Sequence, residues 1–246
     1  MAIEAKWCGF DFGQCLMNPS GLRNHLVIGD VCKMLGEPER IDERIHRYHA
    51  LKEKYGSYGA VKEGHRDEIL TAVFDGDDKA MEYFSQKEQE HLRMGKGLLE
   101  TLIYLKKEGI HLFVVAELKK TLGPMGTDII TRFLQTKNLM EYFEKLVTPQ
   151  GKIDLKNGTI DTRYRGKTKA EGTLYDLLAE DLAEMGIAPS EGAMIGDKGL
   201  TDIVPAKKRG FNTIQYIGYI NYGLTGADLV ISDFRELIGT IKGAKK

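Results

Sequence analysis

An α/β fold is predicted: a doubly wound, mainly parallel sheet interrupted after its first strand by a helical unit. Three observations predict it. An apolar, strand-like run ends on Asp11 near the start of the chain. From Gly21 to about Gly95 the sequence turns charged and helix-like, with no convincing strand. From residue 96 onward, apolar strand-like runs alternate with helix-like segments, the pattern of a parallel sheet with right-handed crossovers. Residues 1–16 and 96–246 are therefore assigned to the α/β core and residues 17–95 to a helical domain inserted in it.

The elements follow in order. Ile3–Phe12 is short and mostly apolar, and reads as the first strand. Arg40–Lys54 places Ile41, Ile45, Tyr48 and Leu51 near helical spacing. Gly56, Gly59 and Gly64 interrupt that pattern, and Asp67–Phe74 resumes it. Gly97–Lys107 carries Leu98, Leu99, Leu102, Ile103 and Leu105, an apolar helix face able to cover a sheet, and Gly109 ends it. Ile110–Ala116 is a continuous apolar run suited to a strand buried on both faces. Thr127–Glu144 is helical in pattern, and Leu146–Val147 reads as a short strand. Lys152–Asp161 reads as a hairpin about Asn157-Gly158, a pair that accepts the positive φ of a tight turn. It is taken as an excursion between a core strand and the next helix. Leu174, Leu177, Leu178, Leu182 and Met185 follow helical spacing up to Gly186. Ala193–Ile195, Thr213–Ile217 and Leu229–Ile231 supply further strands.

Composition narrows the function classes. The 246 residues are 42% hydrophobic and 29% charged, ordinary for a soluble globular protein. A net charge of −1 gives no support to nucleic acid as the main partner. No apolar stretch approaches the roughly 20 residues that span a bilayer. The opening residues lack the basic segment and apolar core of a secretory signal. Cys8, Cys15 and Cys32 are odd in number and show no C-x-x-C spacing, which favours reduced thiols and a cytoplasmic setting.

Two carboxylate signals frame the chain. Asp11 follows Trp7-Cys8-Gly9-Phe10, and Asp197 and Asp202 lie in Gly196-Asp197-Lys198-Gly199-Leu200-Thr201-Asp202. Each acid leaves a strand-like run into a glycine-bearing turn. In a parallel sheet the carboxyl ends of such strands gather in one crevice. Acids delivered there can hold a divalent metal, and one of them can act as a nucleophile.

Asp11-Phe12-Gly13-Gln14-Cys15-Leu16 resembles the first motif of the haloacid dehalogenase (HAD) superfamily, an apolar strand followed by Asp-x-Asp-Gly-Thr-Leu. Gly196-Asp197-x-x-x-x-Asp202 and the segment running on to Ile214 are similar to its fourth motif. The resemblance covers essentially the whole chain, in motif order. It implies a Rossmann-like core with an inserted helical cap and Mg²⁺-dependent hydrolysis of a small phosphorylated substrate. Asp11 would be the nucleophile, forming an aspartyl-phosphate. Asp11, the Gly13 carbonyl and Asp197 would hold Mg²⁺, with Asp202 orienting the metal site. In Gly166-Lys167-Thr168-Lys169-Ala170-Glu171 the resemblance assigns the charge-neutralising lysine to Lys169, at the opening of a helix, with Lys167 the rival.

The chain departs from that pattern at two positions. Gly13 stands where family phosphatases carry the acid that protonates the leaving oxygen. Ala116, followed by Glu117, stands where a Ser or Thr usually binds phosphate. The substrate phosphate is then expected at the backbone around Ala116 and Glu117. Gly59-Ala60-Val61-Lys62-Glu63-Gly64-His65 is similar to the cap pattern of phosphonoacetaldehyde hydrolases, which would give Lys62 a substrate-binding, Schiff-base role. The departures leave two alternatives open: a weak or inactive relative that binds a ligand or partner, and a C–P bond hydrolase. Outside the motifs, His46 and His49 read as a solvated helix face and Cys15 as a small buried side chain. The aromatic loop Gly218–Gly226 either lines the crevice or merely joins two strands.

Overall fold

A computed structural model describes residues 2–18, 24–54, 65–117 and 124–243. Its strands are β1 (Ile3–Ala5), β2 (Trp7–Phe10), β3 (Met17–Asn18), β4 (Arg93–Met94), β5 (His111–Val115), β6 (Lys145–Thr148), β7 (Gly151–Asp154), β8 (Ile160–Asp161), β9 (Gly192–Gly196), β10 (Asn212–Tyr216), β11 (Leu229–Ile231) and β12 (Ile241–Gly243). The described residues form a central eight-stranded sheet in the order β11-β10-β9-β2-β5-β6-β7-β8. From β11 to β6 every pairing is parallel; β7 and β8 run antiparallel at one edge. The predicted α/β class with a mainly parallel sheet is the class observed.

Contact density divides the chain into two compact units: Met1–Asn18 with Met94–Lys246, and Pro19–Arg93. The second unit is helical among its described residues, with α1 (Asn24–Leu35), α2 (Ile41–Lys54), α3 (Arg66–Val73) and α4 (Asp78–His91). Asp77 starts α4 by accepting the amides of Lys79 and Ala80, as an N-cap aspartate does. Val31, Tyr48, Leu70, Phe74 and Phe84 belong to a buried cluster of this unit's own. His46 and His49 are exposed on α2, and the His46 ring bonds the Asp42 carbonyl one turn back.

The core unit adds α5 (Leu98–Lys107), α6 (Ile129–Thr136), α7 (Thr173–Glu184) and α8 (Val204–Lys207). Three sequence expectations need correction here. The first strand is broken at Lys6. Its N–H donates to Glu191, its carbonyl accepts from His111, and β1 pairs separately with β12. The helix expected over 127–144 is only two turns long, because Asn138 takes a left-handed conformation (φ 54°) and ends it. The hairpin is more than an excursion. β7 pairs with β6, so β7 and β8 extend the central sheet. Asn157 is not in the positive-φ region either; Gly158 is, and the Asp154 carbonyl accepts its amide across a wider loop.

Trp7 shows how tightly the middle of the sheet is filled. It is fully buried, edge-on to Phe113 at 5.8 Å and tilted against Phe211 at 5.6 Å. Its indole lies over Gly9, two residues along on the same face, where an added Cβ would come within 2.3 Å of the ring. Gly9 is therefore glycine for space, not for backbone freedom. Gly9→Ala should destabilise the core by about 1–3 kcal/mol through overpacking. Urea unfolding followed by fluorescence of Trp7, the chain's one tryptophan, measures this, with a lower midpoint expected.

Candidate active site

Strand register brings the acids together. Phe10 at the end of β2 lies opposite Val114 of β5 and Ile195 of β9. The next residue, Asp11, donates its amide to the Ile195 carbonyl at 2.8 Å, which sets it level with the exit of β9 towards Asp197. The chain then turns through a wide π-type helical turn, Gly199–Ile203, which returns Asp202 to the same place. Asp202 accepts the Lys198 amide at 2.9 Å and packs against Gly196, where any Cβ would collide with its carboxylate.

Lys169 reaches the acids from the other side. Its ammonium bonds Asp11 Oδ1 at 2.6 Å and the Val115 carbonyl at 3.1 Å, and it pairs with the Asp202 carboxylate. Lys167, by contrast, is exposed. Lys169 does not open a helix, as the sequence suggested. It sits in a turn closed by Gly172 in a left-handed conformation (φ 80°), whose amide returns to the Lys169 carbonyl, and α7 begins only at Thr173. The Arg209 guanidinium packs against Gly172 and leaves no room for a side chain there.

Glu117 is exposed, and its carboxylate accepts the Lys169 backbone amide at 2.6 Å. It thus fastens the lysine turn. Ala116 is buried, and its amide is spent on the Val147 carbonyl. Gly13 offers backbone only; it bridges to Met17, its φ is not left-handed, and the space a Cβ would occupy is empty to 4 Å. Lys62 lies outside the described residues.

Some partners had no sequence signal. Tyr175, buried on α7, donates its hydroxyl to the Thr201 carbonyl and steadies the turn carrying Asp202. Tyr222 donates to Gln14 Oε1 at 2.8 Å, so the Gly218–Gly226 loop is tied to the loop after Asp11. Gln14 itself is left-handed, with φ 65°. Cys15 is buried with its thiol towards the Ile195 carbonyl, and burial together with Asp11, Asp197 and Asp202 holds that thiol well above the usual range. It is not a nucleophile at neutral pH.

One oxygen from each of Asp11, Asp197 and Asp202 lies within 4.8 Å of the others. Asp197 and Asp202 are each 1% exposed, as is Lys169. Both Asp197 oxygens are buried with no hydrogen-bond partner. Such orphaned carboxylate oxygens are costly unless a cation meets them. An all-oxygen donor set of this kind fits a hard divalent ion such as Mg²⁺.

The electrostatics agree. Burial pushes Asp197 up to about 7, with repulsion from Asp11 and Asp202 adding to it. Burial likewise pushes Asp11 up to about 6, although Lys169 draws it down. Burial opposes charge on Lys169, but the two carboxylates outweigh it and hold the ammonium well above the usual lysine range. For Asp197 the native state keeps a proton between about pH 4 and pH 7 that the unfolded chain has released. Its contribution to stability is therefore present in acid and lost as pH rises through about 7. In the presence of a chelator, Asp197→Asn should stabilise the protein at pH 7.5 by on the order of 2 kcal/mol. Urea midpoints at pH 5.5 and 7.5 measure this, and the substitution should flatten their difference.

No protein-family model and no curated protein matches this chain. Solved structures do. A HAD phosphatase from Thermococcus onnurineus is similar with a TM-score of 0.57 at 20% identity, over 96% of this chain and 99% of that one. YfnB of Bacillus subtilis, a HAD-hydrolase by assignment and solved bound to magnesium, gives 0.56 at 14% identity over 96% and 98%. A 2-haloacid dehalogenase from Pseudomonas syringae gives 0.53 at 16% identity over 96% and 97%. The likeness runs nearly the full length of each chain, and what it establishes is architecture. This chain has the fold of the haloacid dehalogenase-like hydrolases.

Proposed function

We propose that this chain is a Mg²⁺-dependent hydrolase of a small phosphorylated metabolite, acting in the cytoplasm through an aspartyl-phosphate on Asp11. The observation that carries this reading is the meeting of Asp11, Asp197 and Asp202 within 4.8 Å, with the buried Lys169 ammonium between Asp11 and Asp202. Asp11, Asp197 and the Gly13 carbonyl would hold Mg²⁺, with Asp202 bracing the set. When bound, the ion would offset the negative charge that phosphate brings towards these carboxylates.

The chain's own residues do the rest. Lys169 fixes one Asp11 oxygen and leaves the other to attack phosphorus. Glu117 and Gly172 hold Lys169 in position through its backbone.

A second reading, ligand binding with weak or no turnover, is favoured by two observations. Gly13 has no side chain to move a proton, and the Ala116 amide is already committed to Val147. A phosphatase panel with Mg²⁺ and with chelator separates the two. Turnover should require the metal and fall by at least about 10³-fold in Asp11→Asn. A phosphoryl adduct should map to the Asp11 peptide. Turnover that survives Asp11→Asn would sink the nucleophile assignment, and a Mg²⁺-induced rise in Tm with no turnover on any substrate would establish the binding reading.

A further inference from the structure

We propose that the Gly218–Gly226 loop staples the metal site, with Tyr222 a positioning residue that sets Mg²⁺ affinity through Gln14. The inference rests on the reading of Asp11, the Gly13 carbonyl and Asp197 as holders of the ion, and deepens it.

Gln14 is the strained point. Its φ of 65° is left-handed, a conformation that glycine takes freely and glutamine seldom takes. The first motif that this segment resembles has glycine at that place. The peptide plane between Gly13 and Gln14 is oriented by Gly13 ψ and Gln14 φ, the two soft torsions that flank it. Relaxing Gln14 to negative φ would therefore turn the Gly13 carbonyl out of its present direction. The bridge from Gly13 to Met17 closes the turn from within. Tyr222 holds it from outside, donating its hydroxyl to Gln14 Oε1 at 2.8 Å.

Tyr222 can serve as an anchor because its own loop is pinned. Gln215, buried on β10, donates its side-chain amide to the Gly223 carbonyl at 2.9 Å and accepts the Thr225 hydroxyl at 2.8 Å. Asn221 accepts the Gly223 amide at 2.9 Å, and Gly223 is left-handed with φ 85°. The loop also touches the second acid-bearing turn. Thr225 packs so closely on Gly199 that an added Cβ there would come within 2.9 Å of it. One loop thus grips both the turn after Asp11 and the turn from Asp197 to Asp202.

The rise in Tm over a Mg²⁺ titration of the intact protein gives the Kd that tests this. Tyr222→Phe keeps the ring and removes the hydroxyl, and should raise the Kd by about 3–10-fold, the worth of one hydrogen bond. Gln14→Ala removes the acceptor and keeps the strain, and should do at least as much. The two should not add: in Gln14→Ala, Tyr222→Phe should leave the Kd unchanged, because its partner is gone. Gln14→Gly needs no support at that φ and should match the wild type, with or without Tyr222→Phe. Urea midpoints in chelator report the fold of each variant. A hydroxyl that merely steadies the loop would lower that midpoint and leave the Kd where it was, which overturns the inference. Additive effects overturn it too. If Tyr222→Phe does not fold, equal Kd values for Gln14→Ala and Gln14→Gly overturn it instead. A wild type that takes up no Mg²⁺ overturns the metal reading itself, and the inference with it.

Discussion

One buried ammonium holds the carboxyl end of the central strands together. Asp11, Asp197 and Asp202 would repel one another in a space from which water is largely excluded, and Lys169 is the cation that lets two of them sit side by side. Burying such a group costs several kcal/mol before any attraction is counted. The surroundings show what supports it: the Val115 carbonyl takes one proton, Glu117 anchors its amide, and Gly172 bends the chain so that it faces inward. Asp197 has no such support: among the described residues both of its buried oxygens lack a hydrogen-bond partner.

The sheet makes this arrangement possible. β2 lies between β5 and β9, so the connections leave it to opposite sides and the strand order reverses there, the place where parallel sheets of this kind part their loops. A one-residue slip between β2 and β9 would turn Asp11 to the other face of the sheet. The fully buried run Trp7–Phe10, with Trp7 folded over Gly9, guards against that slip. Packing in the core and placement of the carboxylate are two aspects of one register.

Much of this was legible in the residues. Alternating apolar and helical segments predicted the sheet, and the glycine-bearing turns after strand-like runs marked where Asp11 and Asp197 leave it. The fourth-motif resemblance persisted because the turn needs small residues: Gly196 clears space for Asp202, and Gly199 packs against Thr225. Lys169 was visible as a lysine but not as a saturated one, because its partners come from β2, β5 and the π-type turn. What stayed hidden was set by contacts distant in sequence. The break at Lys6 depends on Glu191 and His111, and the hold on Gln14 depends on Tyr222. The shortened α6 turned on Asn138, a residue able to stop a helix but not obliged to.

The hairpin that extends the sheet also shapes how the molecule meets its neighbours. Without it β6 would be the outermost strand, an apolar edge with unpaired backbone groups. β7 covers that edge, and the boundary passes to β8, two residues long with Asp161 at its end. Lys152 and Arg163 pair with Asp161 and, across to α7, with Asp181. Short, charged edge strands are poor templates for another chain's backbone. At this end of the sheet the protein therefore carries protection against strand-to-strand aggregation, and it keeps its most apolar parallel strands out of reach of other copies.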